Sequence, residues 1–387
     1  MTGREKVEAA FSPQGSAETP AVLCYDDIYV RDHWDDLTDL PWWYRFSPDL
    51  EHQLAWRRDV IAKTPQDWMS LAACPPRVER EASAVEESEE GVFLVNRKTG
   101  RGRKLARPVV GGWDPAGVSR RVEPPSLPRT LEEVDALFLP QERFDAKGFL
   151  LSGQSDLASA MLAEWALCPV GYTLSPLWGC YGLWGFEGMM LLVGERPDLV
   201  RRACGHLLDQ SLARAEVSAV LGAEAVWIEE CFTDMVSPSA YGELAVPVTQ
   251  RLIEGIRSFG MRSIFYYCGD PVGRWAHLLS LGADAVSFEE GKKGFSLDVE
   301  DVVTRVAGRA VVLGNLDAIN VLQNGSDERL RDEVARQLAA GRRTGGRFIM
   351  SLGSPVTPGT SVARVRLYCD LVHQLGPAAG GPRSSWT

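Results

Sequence analysis

The sequence has no apolar run long enough to cross a bilayer, which takes about 20 residues. Its most apolar stretch, GMMLLVG at 188–194, is far shorter. The opening residues, MTGREKVEAAFSPQGS, lack the apolar core of a signal peptide. Both absences set the expectation of a cytoplasmic protein with no membrane partner. Positive charge is in deficit: 41 Lys and Arg stand against 52 Asp and Glu, a formal charge of −11. Nucleic-acid surfaces need clustered Lys and Arg, so no nucleic-acid partner is expected. The eight cysteines include no CxxC pair, which excludes a zinc ribbon. Scattered thiols in a large cytoplasmic protein are expected to be reduced and buried, while a site assembled from distant residues stays open. No GxGxxG follows a strand-like run, which weighs against a dinucleotide-binding fold.

What is present is a chain of 387 residues, 45% of them hydrophobic, enough for one large core or two ordinary ones. Residues 1–150 are rich in Trp, Pro and charge. Within them, GVFLVNRKTGRGRKLARPVV reads as a hairpin turning at Thr99-Gly100. EREASAVEESEEG reads as a solvated charge run. PPSLPRTLEEVDALFLP opens a short helix that Thr130 can cap, with Glu133 reaching back. From residue 168, short apolar runs alternate with amphipathic helices. CPVGYTL, AEAVWIEE, RSIFYYC, ADAVSFEE, RAVVLGNL and GRFIMSLGSP are read as strands, and a long helix starts at Pro197. The strands lack period-2 alternation, so both of their faces are expected to be buried. This alternation means βα units on a parallel sheet. An open doubly wound sheet also satisfies the pattern. The expected fold is α/β: a single (β/α)8 barrel at 151–387, with 1–150 packed on it as a hairpin-bearing cap, one structural domain overall.

In a barrel the site lies at the C-terminal ends of the strands. Glu229-Glu230 follow AVWI, Tyr266-Tyr267-Cys268-Gly269-Asp270 follow SIF, and Glu289-Glu290 follow AVSF. Asn315 and Asp317 follow AVVL, and Ser354 comes soon after FIM. Polar and acidic groups thus collect on one rim. Each also has a plain structural reading. A carboxylate at a strand end can cap the next helix, as Asp317 is expected to do. Cys268 can be a small buried thiol. Trp34, Trp42, Trp43, Trp56, Trp178 and Trp184 crowd the segments over the mouth, as a packed lid or as an aromatic pocket for a methylated small molecule.

YYCGD, GADAVSFEE, VVLGNLDAINVLQNGS and FIMSLGSPVTPGTSVARVRLYCDLV, in that order, resemble the uroporphyrinogen decarboxylase superfamily, and within it the corrinoid-dependent methyltransferases. The likeness covers residues 165–376, with a looser match at REKVEAAF and the strand start ETPAVLCY. It implies a (β/α)8 barrel that passes a methyl group from a small methylated substrate, such as an aromatic methyl ether, to a corrinoid carried by a separate partner protein. The thiol-activating members bind zinc through a His-x-Cys pair and a distant Cys. Those positions read here as Tyr266, Cys268 and Ser354, so one ligand of three is kept. Two readings follow. Carboxylates among Glu229, Glu230, Glu243 and Glu289 join Cys268 around zinc, with Cys268 and Glu230 as the expected metal pair. Otherwise Tyr266 or Lys292 donates a proton without metal. Catalytic roles are expected for Tyr266, Glu289 and Lys292, and substrate contact for Tyr267, Asn315, Ser354 and Trp178. The alternatives are a decarboxylase of a carboxylated substrate, which would turn arginines such as Arg31 or Arg107 inward, and a repurposed ligand-binding barrel.

Overall fold

The computed structural model of the chain describes residues 1–112, 126–140, 143–291 and 294–376. Its strands run, in chain order, β1 (Trp68–Ser70), β2 (Ser83–Ser88), β3 (Gly91–Asn96), β4 (Gly102–Lys104), β5 (Cys168–Leu174), β6 (Ala225–Cys231), β7 (Arg262–Cys268), β8 (Ala285–Phe288), β9 (Val311–Leu313) and β10 (Phe348–Ile349). Strands β1 and β5 to β10 pair side by side, all parallel. The chain around Ala21 joins the two edges of this sheet. Val22 N donates to Met350 O and Met350 N to Pro20 O, both at 2.9 Å, while Asp67 N donates to Ala21 O at 2.8 Å. That segment serves as an eighth strand, and the sheet closes into the expected barrel.

Strand burial follows from this closure. All seven residues of β6 are buried, and so are all of β7 beyond Arg262. One face meets the barrel interior and the other the helix layer, so the strands read as continuous apolar runs. Fully burying a side chain such as Ile264 or Phe265 stabilises by about 1.5–3 kcal/mol. The helix Pro197–Leu221 covers β5 and ends at Gly222, whose φ of 94° is the left-handed stop that glycine adopts without penalty. The preceding helix, Pro176–Glu195, contains the apolar stretch at 188–194 and is interrupted at Gly185. No helix among the described residues is long and apolar enough to cross a membrane.

Two expectations for the N-terminal part need correction. The barrel does not start after residue 150, because two of its strands, at Ala21 and Trp68–Ser70, precede that point. What stands outside the barrel is the antiparallel meander β2–β3–β4. Its β3–β4 arm is the expected hairpin, turning at Thr99-Gly100. Its β2 arm is the segment read as a solvated charge run. Those residues form the helix Arg77–Ala82 and then strand β2, because Ala84 and Val85 pair with Val95 and Leu94 while Glu86 and Glu87 point away from any buried core. The Thr130 cap is present: its hydroxyl accepts from Glu133 N at 3.2 Å, but Glu133 reaches Arg129 N rather than Thr130.

Candidate functional site

The site is set by the alternation of β6 and β7. These strands pair in register, Glu229 with Tyr266, Glu230 with Tyr267 and Cys231 with Cys268. In a strand, alternate side chains share a face. Trp227, Glu229 and Cys231 therefore share one face with Tyr266 and Cys268, and the stacked rings of Trp227 and Tyr266, 5.0 Å apart, mark it. Glu230 and Tyr267 take the opposite face.

On the first face the contacts form a chain. Tyr25, at the end of the first barrel segment, donates its hydroxyl to Glu229 Oε1 at 2.9 Å. Cys231 Sγ donates to the same oxygen at 3.3 Å. Cys268 Sγ donates to Glu289 Oε2 at 3.3 Å. Glu229 Oε2 makes no hydrogen bond among the described residues. Burial raises the Glu229 pKa, and the Tyr25 and Cys231 hydrogen bonds only partly oppose it. Burial also raises the Cys231 thiol, and the neighbouring Cys268 raises it further. Cys231 is therefore held as a thiol rather than a nucleophilic thiolate. Tyr25 sits at φ 55° and Phe232 at φ 60°, so two of the three described non-glycine residues with left-handed backbone flank this chain. Bulky residues occupy that region only where the surroundings impose it.

A cavity of about 590 Å³ opens above Glu229. Its walls include Tyr25, Trp56, Trp68 and Trp227, together with Asp26, Asp27, Glu229 and Arg57. Trp68 and Trp227 meet at 90° with centroids 5.9 Å apart, and Tyr25 meets Trp227 at 72° and 6.1 Å. Asp26 keeps part of its surface open to the cavity, yet dense protein around it raises its carboxyl to about 6, helped by Asp27. Arg57 is lowered to about 10 by burial and stays charged at neutral pH.

The expected site residues divide sharply. Tyr266 is inside, but its hydroxyl donates to Gly353 O at 2.9 Å, and burial raises its pKa well above the phenol range. That bond commits the proton expected to serve a substrate. Glu289 and Cys268 are inside and bonded to each other. Ser354 Oγ donates to Glu290 Oε2 at 2.6 Å, and Asn315 Nδ2 to Leu297 O at 2.9 Å. Glu230 is not with Cys268: it is wholly buried on the helix side, accepting from Thr233 Oγ1 at 2.7 Å, with Tyr241 and Ser175 close by. Tyr267 lies there too, its ring edge-on to Tyr241 and Phe288, away from the cavity. Trp178 stacks on Tyr181 and packs against Phe232 outside the cavity walls. Glu243 is exposed on the helix Pro238–Leu244. Lys292 lies outside the described residues. Asp317 caps its helix as expected, accepting from Ile319 N and Asn320 N at 2.8 and 2.7 Å.

The zinc centre implied by the resemblance does not fit these residues. Among the described residues, no three His, Cys, Asp or Glu side chains form a group that could hold a metal ion. Tyr266, Cys268 and Ser354 each donate to a different acceptor, and Glu230 is across the sheet. Sequence reasoning also missed Tyr25, Asp26, Arg57, Trp68, Trp227 and Cys231. A signal existed for two of them: in AVWIEEC, taking every second residue gives Trp227, Glu229 and Cys231 on one face.

The sequence of residues 125–375 matches the uroporphyrinogen decarboxylase (URO-D) family. A uroporphyrinogen decarboxylase from Anaeromyxobacter sp. is 26% identical over 253 residues, covering 63% of this chain and 68% of that one. A second, from Chromohalobacter salexigens, is 28% identical over 277 residues, covering 65% and 71%. A methyltransferase structure from Methanosarcina mazei superposes with a TM-score of 0.63 at 15% identity, covering 97% of this chain and 99% of that one, which is a likeness of fold. With its eight-stranded closure and its matched segment, this chain belongs to the uroporphyrinogen decarboxylase (URO-D) family.

Proposed function

We propose that this protein passes a methyl group from a small methylated substrate, held in the barrel-mouth cavity, to a corrinoid carried by a separate protein. The observation that carries the reading is the lining of the cavity: six aromatic residues, three carboxyl-bearing residues and one arginine around about 590 Å³. Such a space suits a compact, largely apolar guest with one polar end. A tetrapyrrole bearing several carboxylates would need several cations. Arg31 is bonded to Asp32 and to Gly112 O, Arg107 is paired with Asp35, and neither lines the cavity.

In methyl transfer the methyl carbon leaves without its bonding pair, which stays on the substrate's heteroatom. This chain's task is to hold the substrate with its methyl toward the incoming nucleophile and to exclude water. A leaving oxygen needs a proton, and Glu229, whose carboxyl pKa is raised by burial, is the acid on the cavity wall placed to supply it. A leaving amine needs none. A second reading, decarboxylation of a carboxylated substrate, has in its favour the names of the sequence relatives and the charge of Arg57 on the cavity wall.

The test is to incubate purified protein with cob(I)alamin and a panel of methyl donors, following methylcobalamin by its absorbance, beside a parallel assay with uroporphyrinogen. Methylcobalamin formation is expected. Carboxyl loss from uroporphyrinogen with no methyl transfer would overturn the reading.

A further inference from the structure

The cavity lining also names a substrate class, an inference that rests on the methyl-transfer reading above. We propose that the cavity binds a small methylated ammonium cation between its aromatic rings and the carboxyl groups of Asp26 and Glu229.

A fully methylated ammonium is round, weakly hydrated and unable to donate a hydrogen bond. What attracts it is the negative face of an aromatic ring, reinforced by a nearby carboxylate. Tyr25, Trp68 and Trp227 form a corner rather than a stack, with interplanar angles of 72° and 90°. A round group in that corner meets ring surfaces from more than one direction. A flat aromatic guest would instead want a parallel face. Trp56, on the next wall, already carries a cation: the Arg57 guanidinium lies 4.0 Å from its ring centroid.

The charges point the same way. Glu229 is 5% exposed, lines the cavity, and has an oxygen with no hydrogen bond among the described residues. Asp26 accepts from Ser70 Oγ at 2.9 and 3.0 Å, and no Lys, Arg or His among the described residues is within ion-pair distance of it. Arg57 is held by Gln53, donating from Nη1 to its O at 2.7 Å and its Oε1 at 2.8 Å. Asp27, at the rim, is paired with Arg45 at 2.8 Å. Two desolvated carboxyls thus face the cavity against one tethered guanidinium. The chemistry balances: the C–N bond breaks, its electron pair stays on nitrogen, and a neutral amine leaves as the methyl bonds to the incoming nucleophile.

The full-length protein is titrated with choline and with 3,3-dimethylbutan-1-ol, its neutral carbon isostere, by tryptophan fluorescence and calorimetry. Choline is expected to bind about tenfold tighter or more. Asp26→Asn should weaken choline by about three- to tenfold and leave the alcohol unchanged. Trp68→Leu should weaken choline as well, and Asp26→Asn keeps the test decisive if the ring variant does not fold. Equal affinity for the two probes, or tighter binding of the alcohol, overturns the proposal. The same protein is then offered tetramethylammonium and cob(I)alamin. Selective choline binding with no methyl transfer to cobalamin sinks the methyltransferase reading and upholds the ammonium site. Methyl transfer from a neutral aryl methyl ether, with no preference for the cation, does the reverse.

Discussion

Glu229 and Glu230 are adjacent, both buried, and both held above the usual carboxylate pKa by burial. One faces the cavity and bonds Tyr25; the other faces the helix layer and bonds Thr233. The same residue type, shifted in the same direction, thus has two different employments. A perturbed carboxyl is a sign of burial first, and only the side of the sheet decides whether a substrate can meet it.

Substitutions can break this contrast. Glu229→Gln should lower kcat/KM for methyl transfer by about 10- to 100-fold with the unfolding curve little changed; steady-state kinetics beside urea titration checks both. Glu230→Ala should do the opposite. It orphans the Thr233 hydroxyl and leaves a void, at a cost of about 1–3 kcal/mol in urea unfolding, with kcat/KM within about threefold of wild type. Equal losses of activity from the two would dissolve the distinction.

Asp26 sharpens it through pH. Its folded pKa of about 6 exceeds the ordinary 3.8, so the folded chain holds the proton more tightly than the unfolded one. The stability this gives is fully present below 3.8 and lost as pH rises through about 6. Asp26→Asn should match wild type near the low end of that window. Above it the variant should be more stable by about 1–2 kcal/mol, allowing for its contact with solvent. Thermal unfolding across the window reads the difference. The smallest effect compares the two tyrosines. Tyr266→Phe loses the bond to Gly353 O and should cost about 1 kcal/mol. Tyr267→Phe removes a hydroxyl that makes no hydrogen bond among the described residues and should be near neutral.

The six strands from residue 168 onward were legible because each is a compact apolar run with a helix-length gap after it. β1 was not: Trp68–Ser70 is three residues inside an irregular segment, and neighbouring strands rather than its own pattern make it a strand. β2 was hidden for a related reason, since two adjacent glutamates mask its pairing with β3. The rim carboxylates were visible at strand ends. Which of each pair faces inward was not, because burial on both faces erases the alternation that would have announced it. Tyr25, Asp26 and Arg57 come from segments far from β6 in sequence, and closure of the ring alone makes them neighbours of Glu229.

That closure bears on how the chain is made. The strand segment at Ala21 is made well before its partner at Met350, which lies far along the chain. Until then one side of the early strand has no ladder to join, and an unpaired strand edge invites pairing with other chains. The ring is a seam between two segments made far apart in time. Contacts this distant along the chain form slowly, so the cavity, which has Leu23 and Tyr25 on one wall and β6 on another, should be among the last features of the molecule to mature.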